Sequence, residues 1–401
     1  MAAKTTKTGK VINVALIGQA FMGRAHSNAW SQVNRFCNPP LRAVLHTICA
    51  VHAKTLPAFA ERWGWQHYST DWKAVCRDPE VDLVDIGTPN YLHLPMARAA
   101  LLAGKHVACE KPLAGTLKDA REMFTLARRA PGRTFVWYNY RRCPAVAFAH
   151  QLVKQGKIGR IRHVRACYLQ SWGDESVPLA WRFDRKLAGS GAHGDLNAHI
   201  VDMVRFVSGE EITEICGAIA ETFVKERKLM AGAATGGIAA GLSSRRGKGR
   251  VTVDDCVLFL ARFSGGAVGS FEAARQATGN FNRHGFELDG TKGALRFNFE
   301  DMNTLEYFDA TAPRALQGWT RIFCTNAESH PYAGFWWPDV HIIGYEHGFT
   351  NMAFDILSVL AGRKPVVPLP DFADAYQTQR VLEAALIAAR TKKWVSLSSV
   401  K

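Results

Sequence analysis

The chain has 401 residues, 47% hydrophobic and 21% charged, with a formal net charge of +15. That length exceeds one ordinary core and calls for two domains, and the composition is that of a soluble globular protein rather than a disordered or fibrous one. No run of about 18 apolar residues exists to span a membrane, and the basic residues are scattered in small clusters without a nucleic-acid motif, so no nucleic acid is expected as partner while an anionic small molecule stays open.

Residues 11–17 (VINVALI) are a continuous apolar run, the pattern of a strand buried on both faces. A glycine-bearing turn and a helical stretch over 22–33 follow. A second run, 43–51, precedes a helix over 54–63. Strands over 81–86, 106–109 and 135–138 alternate with helices over 94–103 and 117–129. This alternation predicts a doubly wound parallel sheet over residues 1–150. Beyond it the pattern changes. Runs at 161–169, 212–222, 256–263, 267–274, 285–290 and 294–298, several joined by hairpin signals such as Ser264-Gly265-Gly266, predict one large, mostly antiparallel open-faced sheet over 151–370. Residues 230–250, rich in Gly, Ala and Ser, read as a flexible insertion or long hairpin loop. The segment 371–390 has helical spacing and is expected to pack back on the first domain. Nine cysteines stand singly, without a CxxC or Cys/His cluster, which predicts reduced thiols and no metal site. The basic start MAAKTTKTGK has no signal-peptide apolar region after it, and a cytoplasmic location is expected.

The stretch LIGQAFMG places Gly18, Ala20, Phe21, Met22 and Gly23 between a strand and a helix. A dinucleotide turn needs glycine first for the tight bend, a tiny residue second for backbone approach to the pyrophosphate, and glycine third for close packing. Ala20 replaces the usual second glycine. The second strand ends TICAVHAK, without the acid that selects NAD; His52 stands near that place. NAD is the preferred expectation and NADP stays open.

HVACEKPLAG (106–115) sets a charge pair at the tip of a buried strand, where carboxyl ends face the ligand crevice. Asp195 and His199, four residues apart, share one face if their stretch is helical. A histidine there is a natural base for a hydroxyl proton, with a carboxylate to orient it, and Asp202 can hold the helix or orient His199 from behind.

With the Gly18 turn, DIGTPNYLH (85–93), CEKPLA (109–114) and GAHGDLNAHIVD (191–202), nearly the whole chain resembles the glucose–fructose oxidoreductase/inositol dehydrogenase/MocA family. The resemblance implies a Rossmann domain joined to an open-faced sheet domain, NAD(P), a sugar or cyclitol substrate, and a homodimer or homotetramer formed through the sheet. It assigns Glu110 to the cofactor ribose and Lys111 to the substrate hydroxyl, with Pro112 turning the peptide. Thr88, Pro89, Asn90 and His93 match the family's nicotinamide-side loop. By position after the fifth strand, Trp137, Tyr138, Asn139, Arg141 and Arg142 are expected at the crevice: Asn139 toward cofactor, Tyr138 and the arginines toward a sugar or an anion. WRFD offers Trp181 and Arg182 to the substrate, and His193, Trp336 and His341 are further substrate candidates, with Glu346 and His347 structural. Two functions share these parts. One oxidises a ring hydroxyl; the other is an oxidoreductive glycosidase, with an anionic or sulfonated sugar among its candidate substrates, that oxidises C3 transiently, eliminates the aglycone, adds water and re-reduces.

Overall fold

The computed structural model describes residues 11–231 and 244–401. The first unit alternates β1 (Val11–Ile17), α1 (Phe21–Phe36), β2 (Arg42–Cys49), α2 (Leu56–Trp63), β3 (His67–Ser69), α3 (Trp72–Arg77), β4 (Leu83–Ile86), α4 (His93–Leu102), β5 (His106–Cys109), α5 (Leu117–Ala127) and β6 (Thr134–Val136). These strands make one sheet in the order β3-β2-β1-β4-β5-β6, every pair parallel. β1 is apolar but for Asn13, and its second half is covered on both faces: Ala15 and Ile17 enter one core cluster, Val14 and Leu16 the other. Helix starts follow local chemistry. The Thr116 hydroxyl accepts the Asp119 N–H at the head of α5 and satisfies a donor the helix cannot.

The second unit begins with α6 (Pro144–Lys154) and β7 (Ile161–Leu169). A short α7 (Arg185–Ala188) and a π-helical turn over His193–Asn197 lead into α8 (Ala198–Ser208). Then come β8 (Ile212–Glu221), β9 (Glu226–Met230), β10 (Ser244–Arg250), β11 (Cys256–Phe263), β12 (Val268–Ala274), β13 (Arg283–Gly290), β14 (Gly293–Asn298), β15 (Thr304–Asp309) and β16 (Trp319–Phe323). Helices α9 (Tyr345–Leu360) and α10 (Phe372–Thr391) and β17 (Val395–Ser396) finish the chain. Nine of these strands form a sheet in the order β16-β15-β14-β13-β7-β12-β11-β8-β17, antiparallel except where β12 runs parallel to β7. Alternation sets its faces: Val257, Phe259, Ala261 and Phe263 of β11 point to the core, Leu258 and Leu260 away from it. The insertion expected at 230–250 is in part a two-stranded ribbon of β9 and β10; its middle, 232–243, lies outside the described residues. No helix among the described residues is long and apolar enough to cross a membrane.

The two units are tied together by helices. α9 packs on α1, and α10 packs on α5 of the parallel unit and on β8 and α8 of the other. Asp371 caps α10 by accepting the Asp374 N–H at 2.8 Å.

Candidate active site

The site begins at the carboxyl edge of the parallel sheet. After β1 the chain bends at Gly18 with φ of 125°, and a Cβ there would strike the Gly87 carbonyl oxygen. Gly23 lies against the Gly18 carbonyl, again with no room for a Cβ. Ala20 is the N-cap of α1 without a side-chain hydrogen bond, and no acid stands in the first turn. The first N–H groups of α1 are therefore free, at the positive end of the helix dipole. A backbone cradle with an uncapped helix end is what a pyrophosphate needs, so these residues fit a dinucleotide. Beside the turn, Gln19 Nε2 donates to the Thr55 hydroxyl at 3.0 Å, and the Thr55 N–H donates to the His52 carbonyl at 3.2 Å.

At the tip of β5, Glu110 is buried, and the Lys111–Pro112 peptide is cis. The Lys111 ammonium donates to the Asp195 carboxylate at 2.8 Å and to the Asp195 carbonyl at 2.9 Å. This bond joins the two units, since Asp195 lies on the π-helical turn before α8. Burial alone would raise the Asp195 carboxyl; Lys111, Arg182 and Arg275 overcome it and hold the group at about 2. His199, in the first turn of α8, is buried among the rings of Tyr140 (4.6 Å between centroids) and Tyr168 (5.8 Å). Burial, then the Lys111 charge, then His284 push its pKa well below the ordinary 6.5, so the imidazole is neutral. Its Nδ1 is sealed without a partner. With the hydrogen on Nδ1, the Nε2 lone pair is free to take a proton.

These groups face one open cleft with about 920 Å³ of empty space, its mouth included. Phe21, Met22, Thr88, Asn90, Glu110 and Asn139 line the side toward the parallel sheet; Tyr168, Gln170, Trp181, Arg182 and Arg275 line the other. The wall is rigid. Tyr140 and Tyr168 hydroxyls lie 3.0 Å apart, and the Tyr168 hydroxyl and Gln170 Nε2 both donate to Asn282 Oδ1, at 2.8 and 2.7 Å. Arg275 Nε donates to Asp255 at 2.9 Å, and the Arg182 guanidinium lies 4.5 Å over the Trp181 ring.

The family model described as an oxidoreductase family with an NAD-binding Rossmann fold matches residues 12–138, and the GFO/IDH/MocA C-terminal domain model matches 146–296. The chain belongs to the GFO/IDH/MocA family. It is an NAD-dependent oxidoreductase of that type, and residues 12–138 are its NAD-binding domain. Levoglucosan dehydrogenase of Pseudarthrobacter phenanthrenivorans is 38% identical over 397 residues, 97% of this chain and 99% of that one. An oxidoreductase domain protein from Kribbella flavida superposes with a TM-score of 0.89 at 44% identity, over 97% of this chain and 99% of that one. A levoglucosan dehydrogenase solved with NADH and levoglucosan superposes at 0.88 with 36% identity, over 96% and 99%. No relative named here is a glycosidase, and redox-neutral hydrolysis is without support among them.

Within this family fold, Lys111, Asp195 and His199 meet as the sequence led us to expect, with one difference. Asp195 pairs with Lys111, and no hydrogen bond joins it to His199. The π-helical turn between them adds a residue to the turn and removes the simple four-residue register.

Several expected cleft residues lie elsewhere. Arg141 and Arg142 are buried and consumed in ion pairs: Arg141 holds Asp202 and Asp374, and Arg142 holds Asp355 at 3.2 Å. Neither lines the cleft, and Asp202 serves Arg141 rather than His199. His193 is fully buried; one ring nitrogen lies 2.8 Å from the Leu382 carbonyl and the other 2.9 Å from Asn197 Nδ2. His93 is likewise sealed, its nitrogens 2.9 Å from the Thr88 carbonyl and 3.1 Å from that of Pro112, so it braces the loop from behind. Tyr138 is buried behind His199, off the cleft wall. Trp336 packs between Phe36 and His347, its N–H on Asn351 at 3.1 Å, and His341 is exposed beside the Pro338 carbonyl; both stand away from the cleft. Conversely, Tyr140, Tyr168, Gln170, Arg275 and Tyr345 line the cleft without having been singled out. Tyr168 and Gln170 share a face of β7 and its extension, a period-two signal readable only once that strand's inward face is known.

Proposed function

We propose that the protein oxidises a ring hydroxyl of a neutral pyranose or anhydrosugar of the levoglucosan class with NAD. The observation that carries this is the bond from Lys111 to Asp195 in the cleft that His199 also lines, at the carboxyl edge of the Rossmann sheet. Similarity to levoglucosan dehydrogenase over nearly both chains supports the substrate class. The pairing of Lys111 with Asp195, and of Arg275 with Asp255, leaves few free positive charges in the cleft and favours a hydroxyl-rich ring over an anionic one.

In this reading Glu110 accepts from the ribose on the nicotinamide side, Phe21, Met22, Thr88, Asn90 and Asn139 flank the cofactor, and the Gly18–Gly23 turn carries the pyrophosphate. His52 lies beside that turn. Bound NAD supplies the hydride acceptor. His199 Nε2 takes the hydroxyl proton. Lys111 donates to the same oxygen as it gains negative charge, which lowers the barrier electrostatically. Asp195 fixes the ammonium, while Trp181 and Arg182 offer a ring face and donors. NAD is preferred over NADP because no arginine follows β2 to clasp a 2′-phosphate. The exposed Leu258 and its cross-strand neighbour Ile219 give the outer sheet face an apolar patch suited to a second copy.

The test is incubation of the purified protein with NAD and a panel of neutral and anionic sugars and glycosides, following NADH and released aglycone. NADH formed with a neutral pyranose or anhydrosugar is the expected outcome. Aglycone release without NADH, or turnover of anionic sugars alone, overturns the reading.

A further inference from the structure

Behind Glu110, away from the cleft, a polar cluster lies sealed in the Rossmann core. Its centre is His26 of α1, fully buried, and its base is Asp85, equally buried in the middle of the sheet on β4. A carboxylate on a parallel strand covered on both faces is costly and calls for a reason. His26 Nδ1 lies 3.0 Å from Asp85 Oδ2, and His26 Nε2 lies 3.1 Å from Glu110 Oε1. The indoles of Trp30 and Trp137 donate to Asp85 at 2.7 and 2.8 Å, and the Trp137 ring lies against His26 at 4.2 Å between centroids.

Both imidazole nitrogens thus face carboxylates, and only a doubly protonated ring can donate to both. Burial opposes that charge, but Asp85 and Glu110 outweigh it and raise His26 to about 9. Asp85 receives three donors and is immobile. Glu110 is held at both oxygens, by His26 and by the Lys111 N–H at 3.1 Å. Of the cluster, only Glu110 lines the cleft. The arrangement therefore runs one way: Asp85 anchors, His26 transmits, Glu110 presents.

We propose that His26, anchored by Asp85, is a positioning residue for cofactor binding: it fixes the conformation of the Glu110 carboxylate before the cofactor arrives. The proposal rests on the reading of Glu110 as a ribose acceptor. A carboxylate set in advance loses no side-chain freedom when it accepts a hydroxyl, so the benefit falls on nucleotide affinity rather than on proton transfer at the sugar.

The experiment is a double-mutant cycle on the full chain, read by NADH fluorescence titration and steady-state kinetics, with His26→Gln, Glu110→Gln and the double variant. Asp85→Asn stands in for His26→Gln if that protein does not fold. Each single change is expected to weaken NADH by about 10- to 100-fold, the range for a hydrogen bond to a charged group. KM for NAD should rise far more than kcat falls. The double variant should bind NADH within about twofold of Glu110→Gln alone, because His26 acts only through Glu110. A His26→Gln protein with unchanged NADH affinity, beside a weakened Glu110→Gln, overturns the proposal and leaves the ribose reading intact. Losses that multiply in the double variant also overturn it, since His26 would then act independently of Glu110. If Glu110→Gln alone leaves NADH binding unchanged, the ribose reading falls and the proposal with it.

Discussion

Replacing Lys111 with methionine removes one charge while keeping most of the side chain's length. An ammonium has three N–H bonds. Asp195 takes two of them, at 2.8 and 2.9 Å, so one is left for a substrate oxygen. Loss of a single donor aimed at a developing oxyanion costs about 10²–10³ in kcat, roughly 3–4 kcal/mol. Asp195 loses its strongest attractive partner too, and its pKa rises from about 2, though Arg182 and Arg275 stay beside it. In the proposed reading the nucleotide rests on Gly18–Gly23 and Glu110, and the Lys111 backbone N–H survives the change, so NADH affinity should hold. The assay pairs initial rates of NADH formation at saturating NAD and sugar with NADH fluorescence titration. A Lys111→Met enzyme that keeps a third or so of kcat, or whose loss lies mainly in NADH affinity, refutes the assignment of the oxyanion donor.

His199→Gln should lower kcat by about 10²–10⁴, the range for a general base. Because the His199 pKa lies well below 6.5 and the base must be neutral, kcat/KM in the wild type should stay level as pH falls through 6.5 and decline only at lower pH; a limb centred near 6.5 would contradict this. His26 has a folded pKa of about 9, raised from 6.5, so its contribution of roughly 3 kcal/mol is full below pH 6.5 and is lost as pH rises through 9. Thermal melts across that window should show the decline, and His26→Gln should flatten it. Ala20→Leu should weaken NADH by about tenfold or more, by keeping the phosphates from the free N–H groups of α1; unchanged titrations would place the pyrophosphate elsewhere. Arg142→Met leaves the buried Asp355 with only the neutral Tyr332 hydroxyl and Val366 N–H as donors and should cost about 3–5 kcal/mol of stability, seen in Tm, with KM for sugar unchanged.

The parallel half is legible in the sequence because burial on both faces leaves apolar runs such as 14–17. The phosphate turn is legible because backbone contact at Gly18 and Gly23 admits no other residue. Lys111, Asp195 and His199 are legible as chemistry, since a charge pair at a strand tip and a His near an Asp are unusual locally. What the sequence hides is direction. Arg141 and Arg142 sit one and two residues past Tyr140, which lines the cleft, yet they point back to carboxylates 61, 233 and 213 residues away. No local pattern encodes partners that distant. His193 and His199 look alike as residue types; only the distant Leu382 carbonyl settles His193 as structural. β3, with three mostly exposed residues, has too little periodicity to read.

The ion pairs of Arg141 and Arg142 give the molecule a division of labour that selection can exploit. They weld the turn after β6 to α8, α9 and α10, so the register between cofactor floor and hydroxyl-activating groups is set by a buried frame. Trp181 and Gln170 stand outside that frame, in the segment that follows β7. Exchanging those two side chains would reshape the cleft wall without touching the Lys111–Asp195 pair. A lineage can therefore change its diet of sugars one wall residue at a time without reinventing its chemistry.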